Sequence, residues 1–412
     1  MSVDNALSAN TGPAPSGRPI EKRSAAFLLL FALAHLGGVF GYLPLLSLLL
    51  PIKVQAMAGD ARLGLFTLCM VTGGIASSAS NILFGWLSDR SVRQGNGRRR
   101  WIAAGIVASA AALFAVAEAA RPIPLVLSVM AVQIAVNLLL APLIAIMADE
   151  IPDSQKGLTG ALLSLAFPLA AGGAALMMDL TSLNGATRLA VAALALAICT
   201  APFLATRSRK TSDALPPIEE RAMLRRDLGV AWASRILMQV ANNVLSTYLF
   251  YYFESVASSA SPEQLAARVG HVLTIAFLLP VPVTLLIGRL SDRMHRRKPF
   301  LLAMAALAVA GLVVMALAED PRIGAVAYFT YSIGSQAFLA LHGAFAMQLL
   351  PSPEHRGRDL GLLNLTNTLP ALLGPVLTWQ LASPHNFTAA LLALAGLAAL
   401  GGLLVLGVRG RR

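Results

Sequence analysis

The sequence predicts an all-α integral membrane protein of twelve transmembrane helices in two pseudo-symmetric six-helix bundles. Three observations predict it. Hydrophobic residues make up 57% of the 412-residue chain and charged residues 13%, against about 25% charged in a soluble protein. Twelve apolar segments recur along the chain, each long enough to cross about 30 Å of hydrocarbon. A basic motif also occurs twice, GWLSDR at 85–90 and GRLSDR at 288–293, so that Asp89 and Asp292 stand 203 residues apart. Strands of a barrel would be about half as long and would alternate in polarity, which leaves helices as the reading.

In chain order, residues 1–23 are rich in Ser, Pro, Ala and Gly and read as a flexible tail without a signal-peptide layout. The first six spans are 24–50, 63–87, 101–120, 123–148, 158–178 and 186–205, which make an N-terminal bundle over 24–205. The polar segment 206–227, with Pro216 and Pro217, is the linker. Spans 228–253, 269–287, 300–318, 323–350, 360–381 and 387–408 form a C-terminal bundle over 228–408, with a short tail at 409–412. The halves echo each other elsewhere: PDSQKG at 152–157 matches PSPEHRG at 351–357, and Pro168 with Gly172 recurs as Pro370 with Gly374. The Pro–Gly pairs predict a bend in spans 5 and 11.

Charge placement sets the expected orientation. Of 32 Lys and Arg residues, 25 fall on the side holding both termini, six on the other, and Arg235 inside a span. The positive-inside rule then puts both termini in the cytoplasm. The net charge of +12 is thereby a matter of topology, and no nucleic-acid partner is expected. Cys69 and Cys199 lie within spans and receive no role. No metal-ligand spacing, nucleophile triad or Walker motif is present, so neither an enzyme nor a cofactor is expected.

The repeated loop resembles the cytoplasmic signature of the major facilitator superfamily, and the resemblance covers essentially the whole chain. Gly85 and Gly288 are expected to let helices approach closely. Asp89 and Asp292 can pair with nearby arginines or with a helix N-terminus. The resemblance implies a conformational latch of Gly85, Asp89, Arg90, Arg98, Arg99, Gly288, Asp292 and Arg293 that favours the outward-open state. Anchoring of the arginines to anionic lipid is the other reading. Residues 89–101, DRSVRQGNGRRRW, and the Gly-rich first span resemble the glycoside–pentoside–hexuronide cation symporters and the sucrose-type carriers. Trp101 stands where that motif has Pro. The interiors of spans 2 and 4 hold Asn81, Gln133 and Asn137 rather than the Asp of sodium-coupled members.

Polar residues inside spans mark candidate sites, because they are costly in hydrocarbon. Arg235, Gln239, Asn242 and Ser246 are spaced 4, 3 and 4 apart in span 7, on one helical face. Arg235 either faces a cavity or snorkels to the interface. Span 10 carries Tyr328, Tyr331, Ser335 and His342 on one face, and span 11 carries Asn364 and Asn367. The expected solute-binding set is Gln133, Asn137, Gln239, Asn242, Tyr331, Asn364 and Asn367; each residue could equally be glue between helices. Asp149, His35 and His342 are the coupling candidates, the histidines because imidazole titrates near neutral pH. The expectation is a monomeric, proton-coupled carrier of a sugar or glycoside in the cytoplasmic membrane, working on a small-molecule substrate within the lipid bilayer. The run from Phe167 to Gly173 faintly resembles a motif of drug/proton antiporters, so export of drug-like or lipid-like compounds is the alternative. A non-transporting assembly or sensor protein is the third possibility.

Overall fold

The computed structural model describes residues 22–208, 225–257, 261–294, 296–347, 369–370, 372–383 and 385–408. The expected Asn364 and Asn367, the motif at 351–357 and most of both tails and the linker lie outside them. The described residues form helices joined by short turns, with a lone bridge between Ser383 and Asn386. In the first half these are α1 (Ala25–Phe40), a π-helical turn (Leu45–Leu49), α2 (Leu50–Ala58), α3 (Arg62–Arg93), α4 (Arg99–Glu118), α5 (Pro122–Glu150), α6 (Asp153–Ser164), α7 (Ala166–Asp179) and α8 (Gly185–Leu204). In the second they are α9 (Arg225–Val256), α10 (Pro262–Leu278), α11 (Pro280–Met294), α12 (Lys298–Leu317), α13 (Pro321–Met347), α14 (Leu372–Leu381) and α15 (Thr388–Leu404).

Eight stretches of described residues are long and apolar enough to cross a membrane, one of them, Ala25–Arg93, taking in the first two expected spans. The long helices α9 and α13 fall outside that set because polar side chains lower their hydropathy. The twelve-span reading is consistent with this arrangement.

Three local features depart from the expected boundaries. The motif at 85–90 is helical, not loop: α3 continues to Arg93, with Arg90 and Arg93 in a last turn whose dipole favours cations. The chain turns only after Gln94, at Gly95, whose φ of 81° suits glycine alone. The first span breaks at Gly41, where α1 ends, and continues through the π-helical turn into α2, with Pro51 in the first turn, where no intrahelical donor is needed. Spans 5 and 8 are each two helices. Their breaks, at Leu165 and Leu279, precede Pro168 and Pro280, and proline lacks the N–H that would continue the ladder. The bend expected from Pro168 is therefore present.

Packing within each half is tight. A Cβ on Gly105 of α4 would come within 2.7 Å of the Leu139 backbone in α5. One on Gly311 of α12 would lie 2.5 Å from the Tyr331 nitrogen in α13. These glycines allow the close helix contact that drives association in lipid.

Candidate functional site

The halves meet at the end away from the Arg-rich turns, called here the far end; the Arg-rich turns mark the basic end. Arg62, buried at the start of α3, is ion-paired with Glu254 near the end of α9, Nε to Oε2 3.2 Å. Gln55 of α2 donates to the other Glu254 oxygen at 2.8 Å. One turn deeper, Thr67 and Tyr248 share a buried hydrogen bond of 2.8 Å. Phe66 sits edge-on to both Tyr248 and Tyr251, at 5.2 and 5.0 Å between centroids. Beside this plug α7 packs along α10, and Asp179 meets His271 at 3.0 Å. Salt link, hydroxyl pair and aromatic layer together close the far end.

Among the described residues α6 packs on α1 and α7 of its own half, and α11 on α10 and α13 of its own. Among the described residues, a Cβ on Gly85 or Gly288 would meet nothing within 4 Å.

From the far-end closure toward the basic end runs the face of α9 that the spacing predicted. Arg235, Gln239, Asn242 and Ser246 are all half-buried, while Met238, Val240, Ala241, Val244 and Leu245 between them are buried. Arg235 does not snorkel to the basic end. Its Nη1 donates to the Leu339 carbonyl of α13 at 3.0 Å, which ties the two helices and holds the guanidinium in place. Ser246 spends its hydroxyl on the backbone carbonyls of Asn242 and Asn243.

Other expected residues behave differently. Asn137 is buried in a bridge between α5 and α3: it accepts from Asn81 at 2.9 Å and donates to Ser77 and to the Gln133 carbonyl, both at 2.8 Å. Its amide is used up as glue between helices, whereas Gln133 stays half-buried beside Gly73. Tyr331 is fully buried and stacked on Tyr328 at 6.2 Å, so it does not reach the open space. His342 is fully buried against Phe338, and His35 is half-buried in α1.

The latch residues form two clusters inside the first half. Arg98 joins Asp89 at 2.6 Å, Asp149 at 2.8 Å and Ser88 at 2.6 Å, and so pins the ends of α3, α4 and α5 together. Asp149, the coupling candidate, is therefore a partner of Arg98. Glu150 beside it is buried and takes Arg23 at 2.6 Å, Arg99 at 2.9 Å and Ser208 at 3.2 Å. Arg90 and Arg293 are exposed, and the side chain of Asp292 lies outside the description. Sequence reasoning missed the closure formed by Arg62, Glu254 and Phe66, because one sequence carries no signal for pairing residues nearly two hundred positions apart. Glu150 was legible only as a charge at a span end.

Comparison with known proteins follows the same lines. The family model described as Major Facilitator Superfamily matches residues 26–262 and 244–412. The Uncharacterized MFS-type transporter YfiU of Bacillus subtilis (strain 168) is 29% identical over 102 residues, a match spanning 25% of this chain and 19% of that protein. Among solved structures, the nucleoside transporter NupG is similar over 94% of this chain and 99% of its own, with 13% identity and a TM-score of 0.71. The peptide transporter POT in complex with sulfate is 16% identical over 94% of this chain and 96% of its own, with a TM-score of 0.72. A bacterial homolog of the human lysosomal transporter Spinster, in an inward-facing and occupied conformation, is 15% identical over 93% of this chain and 94% of its own, with a TM-score of 0.66. At these identities the structural likenesses show the fold.

Proposed function

We propose a function from one premise: the chain belongs to the major facilitator superfamily. It is a secondary carrier that moves a small polar solute, a sugar or glycoside, by alternating access between its two halves. It lies in the cytoplasmic membrane with both termini in the cytoplasm, acts as a monomer and is driven by protons. The single observation that carries this reading is the half-buried face of Arg235, Gln239, Asn242 and Ser246, lying on the basic side of the far-end closure. Amides and a fixed guanidinium on one face suit hydroxyl groups, each of which needs both donors and acceptors. Binding near the middle of the repeat interface, with one half rocking against the other, is how two-fold carriers work. With the basic end cytoplasmic, the closure at Arg62 and Glu254 seals the outer end. Asp89 with Arg98, and Glu150 with Arg99, hold the basic ends of α3, α4 and α5 as one rigid unit during that motion.

A second reading, export of drug-like or lipid-like compounds, is favoured by the aromatic pair Phe167 and Phe277, 5.6 Å apart beside the breaks in spans 5 and 8. The test is uptake of labelled disaccharides by the purified protein in liposomes, with an inward proton gradient and no sodium. Accumulation abolished by a protonophore supports the proton-driven sugar carrier. Downhill equilibration alone overturns the coupling, and no sugar movement overturns the substrate class in favour of export.

A further inference from the structure

Asp179 is the last residue of α7 and His271 lies in the third turn of α10, so their 3.0 Å contact joins the two halves at the far end. Both side chains are about half exposed, His271 at 52% and Asp179 at 45%, so water, and with it protons, reaches the pair from the far side. The helices beneath are in close contact: a Cβ on Gly270 would sit 2.9 Å from Ala175. The pair is therefore a clasp at the mouth of a tightly packed seam, and it can form only while that seam is shut.

We propose that Asp179 and His271 form a proton-binding site, filled from the compartment at the far end, that fastens this end shut. It rests on the alternating-access reading above. When His271 is neutral the contact is an ordinary hydrogen bond. When it binds a proton, the contact becomes a charge-assisted ion pair, roughly twice as strong. The proton is then held more tightly in the closed state than in the open one, and by linkage acid at the far end favours closure there.

The surrounding charges are compatible with that role. Arg188 of α8, itself buried, donates to the carbonyls of Met178 and Leu180 at 3.4 Å, which sets the end of α7 on either side of Asp179. From α9, Glu254 is engaged by Arg62 and Gln55, and Tyr251 and Tyr252 are buried. From α2, Lys53 donates to the Ala117 carbonyl. On α10 itself Glu263 and Arg268 precede His271, α13 brings Arg322 in its first turn and, buried further along, Tyr328, Tyr331 and, toward the basic end, His342, the π-helical turn brings no titratable group, and Arg289 and Arg293 of α11 lie at the basic end. His271 is the imidazole in this set, the side-chain type suited to proton switching near neutral pH.

The test is the distance between spin labels at Ser182→Cys and Gln264→Cys, both exposed at the far end on opposite halves, with Cys69 and Cys199 replaced by Ala. In the wild-type background the closed-to-open ratio should rise about fivefold on going from about pH 8 to about pH 5.5, the upper range for a part-exposed pair. His271→Gln and Asp179→Asn should each keep two populations and lose most of that pH dependence. A pH-independent ratio in the wild type, or an unchanged response in both variants, overturns the proton site while leaving alternation standing. A single distance under every condition, including with Glu254→Gln, overturns the alternating-access reading itself.

Discussion

Arg62 and Glu254 lie 192 positions apart in the chain, yet their side chains meet at 3.2 Å across the two halves. They are 8% and 15% exposed, and Gln55 satisfies the second carboxylate oxygen. This is the charged part of the far-end closure, so altering it should move the balance between states rather than the stability of either half.

Glu254→Gln leaves Arg62 with only the exposed Asp60, 3.8 Å away, as counter-charge, a loss of about 1–2 kcal/mol from the closed form, between the values for exposed and buried pairs. The expected outcome is a several-fold rise in labelling of an Asn242→Cys variant by an impermeant maleimide from the far side. An unchanged labelling rate would mean that the pair does not hold this end.

Asn242→Ala and Asn137→Ala should fail for different reasons. Asn242 is half-buried on the polar face of α9, so its loss should reduce solute uptake with little change in melting temperature. Asn137 is buried with its amide bonded to Ser77 and Asn81. Removing it strands those partners and should cost about 1–3 kcal/mol of stability. Melting curves in detergent, set beside uptake rates, separate the two.

Arg98 and Asp89 should also part company. Arg98→Ala leaves Asp89 and Asp149 without their cation; because both carboxylates are about half exposed, it should lower stability by about 1–2 kcal/mol. Asp89 is 54% exposed, so Asp89→Asn should cost less than about 1 kcal/mol yet still slow turnover, if the latch works in the alternate state. Wild-type turnover in a well-folded Asp89→Asn protein would remove the latch.

Gly105→Leu tests the packing. Even a Cβ there would meet the Leu139 backbone at 2.7 Å, and backbone cannot rotate away. A loss of about 3 kcal/mol or failure to fold is expected; normal yield and melting would contradict the packing of α4 on α5.

Much of the fold was legible because hydropathy and repetition are local signals. The twelve apolar segments, the break before Pro168 and the polar face of α9 each follow from residues a few positions apart. What was not legible depends on distant partners. The spacing of Arg235 put it on a polar face, but only the Leu339 carbonyl in α13 shows why it does not snorkel. Asn137 and Asn242 look alike as amides in apolar helices; one is spent on α3 and the other is not.

The most direct test of alternating access is to lock the far end and ask which side still reaches the middle. Arg62→Cys with Glu254→Cys, in a protein also carrying Asn242→Cys and lacking the native cysteines, is oxidised to join the halves there. The account predicts that an impermeant maleimide then labels Asn242→Cys from the basic end alone, and that reduction restores labelling from both sides. Labelling from the far side that persists in the locked protein would contradict it.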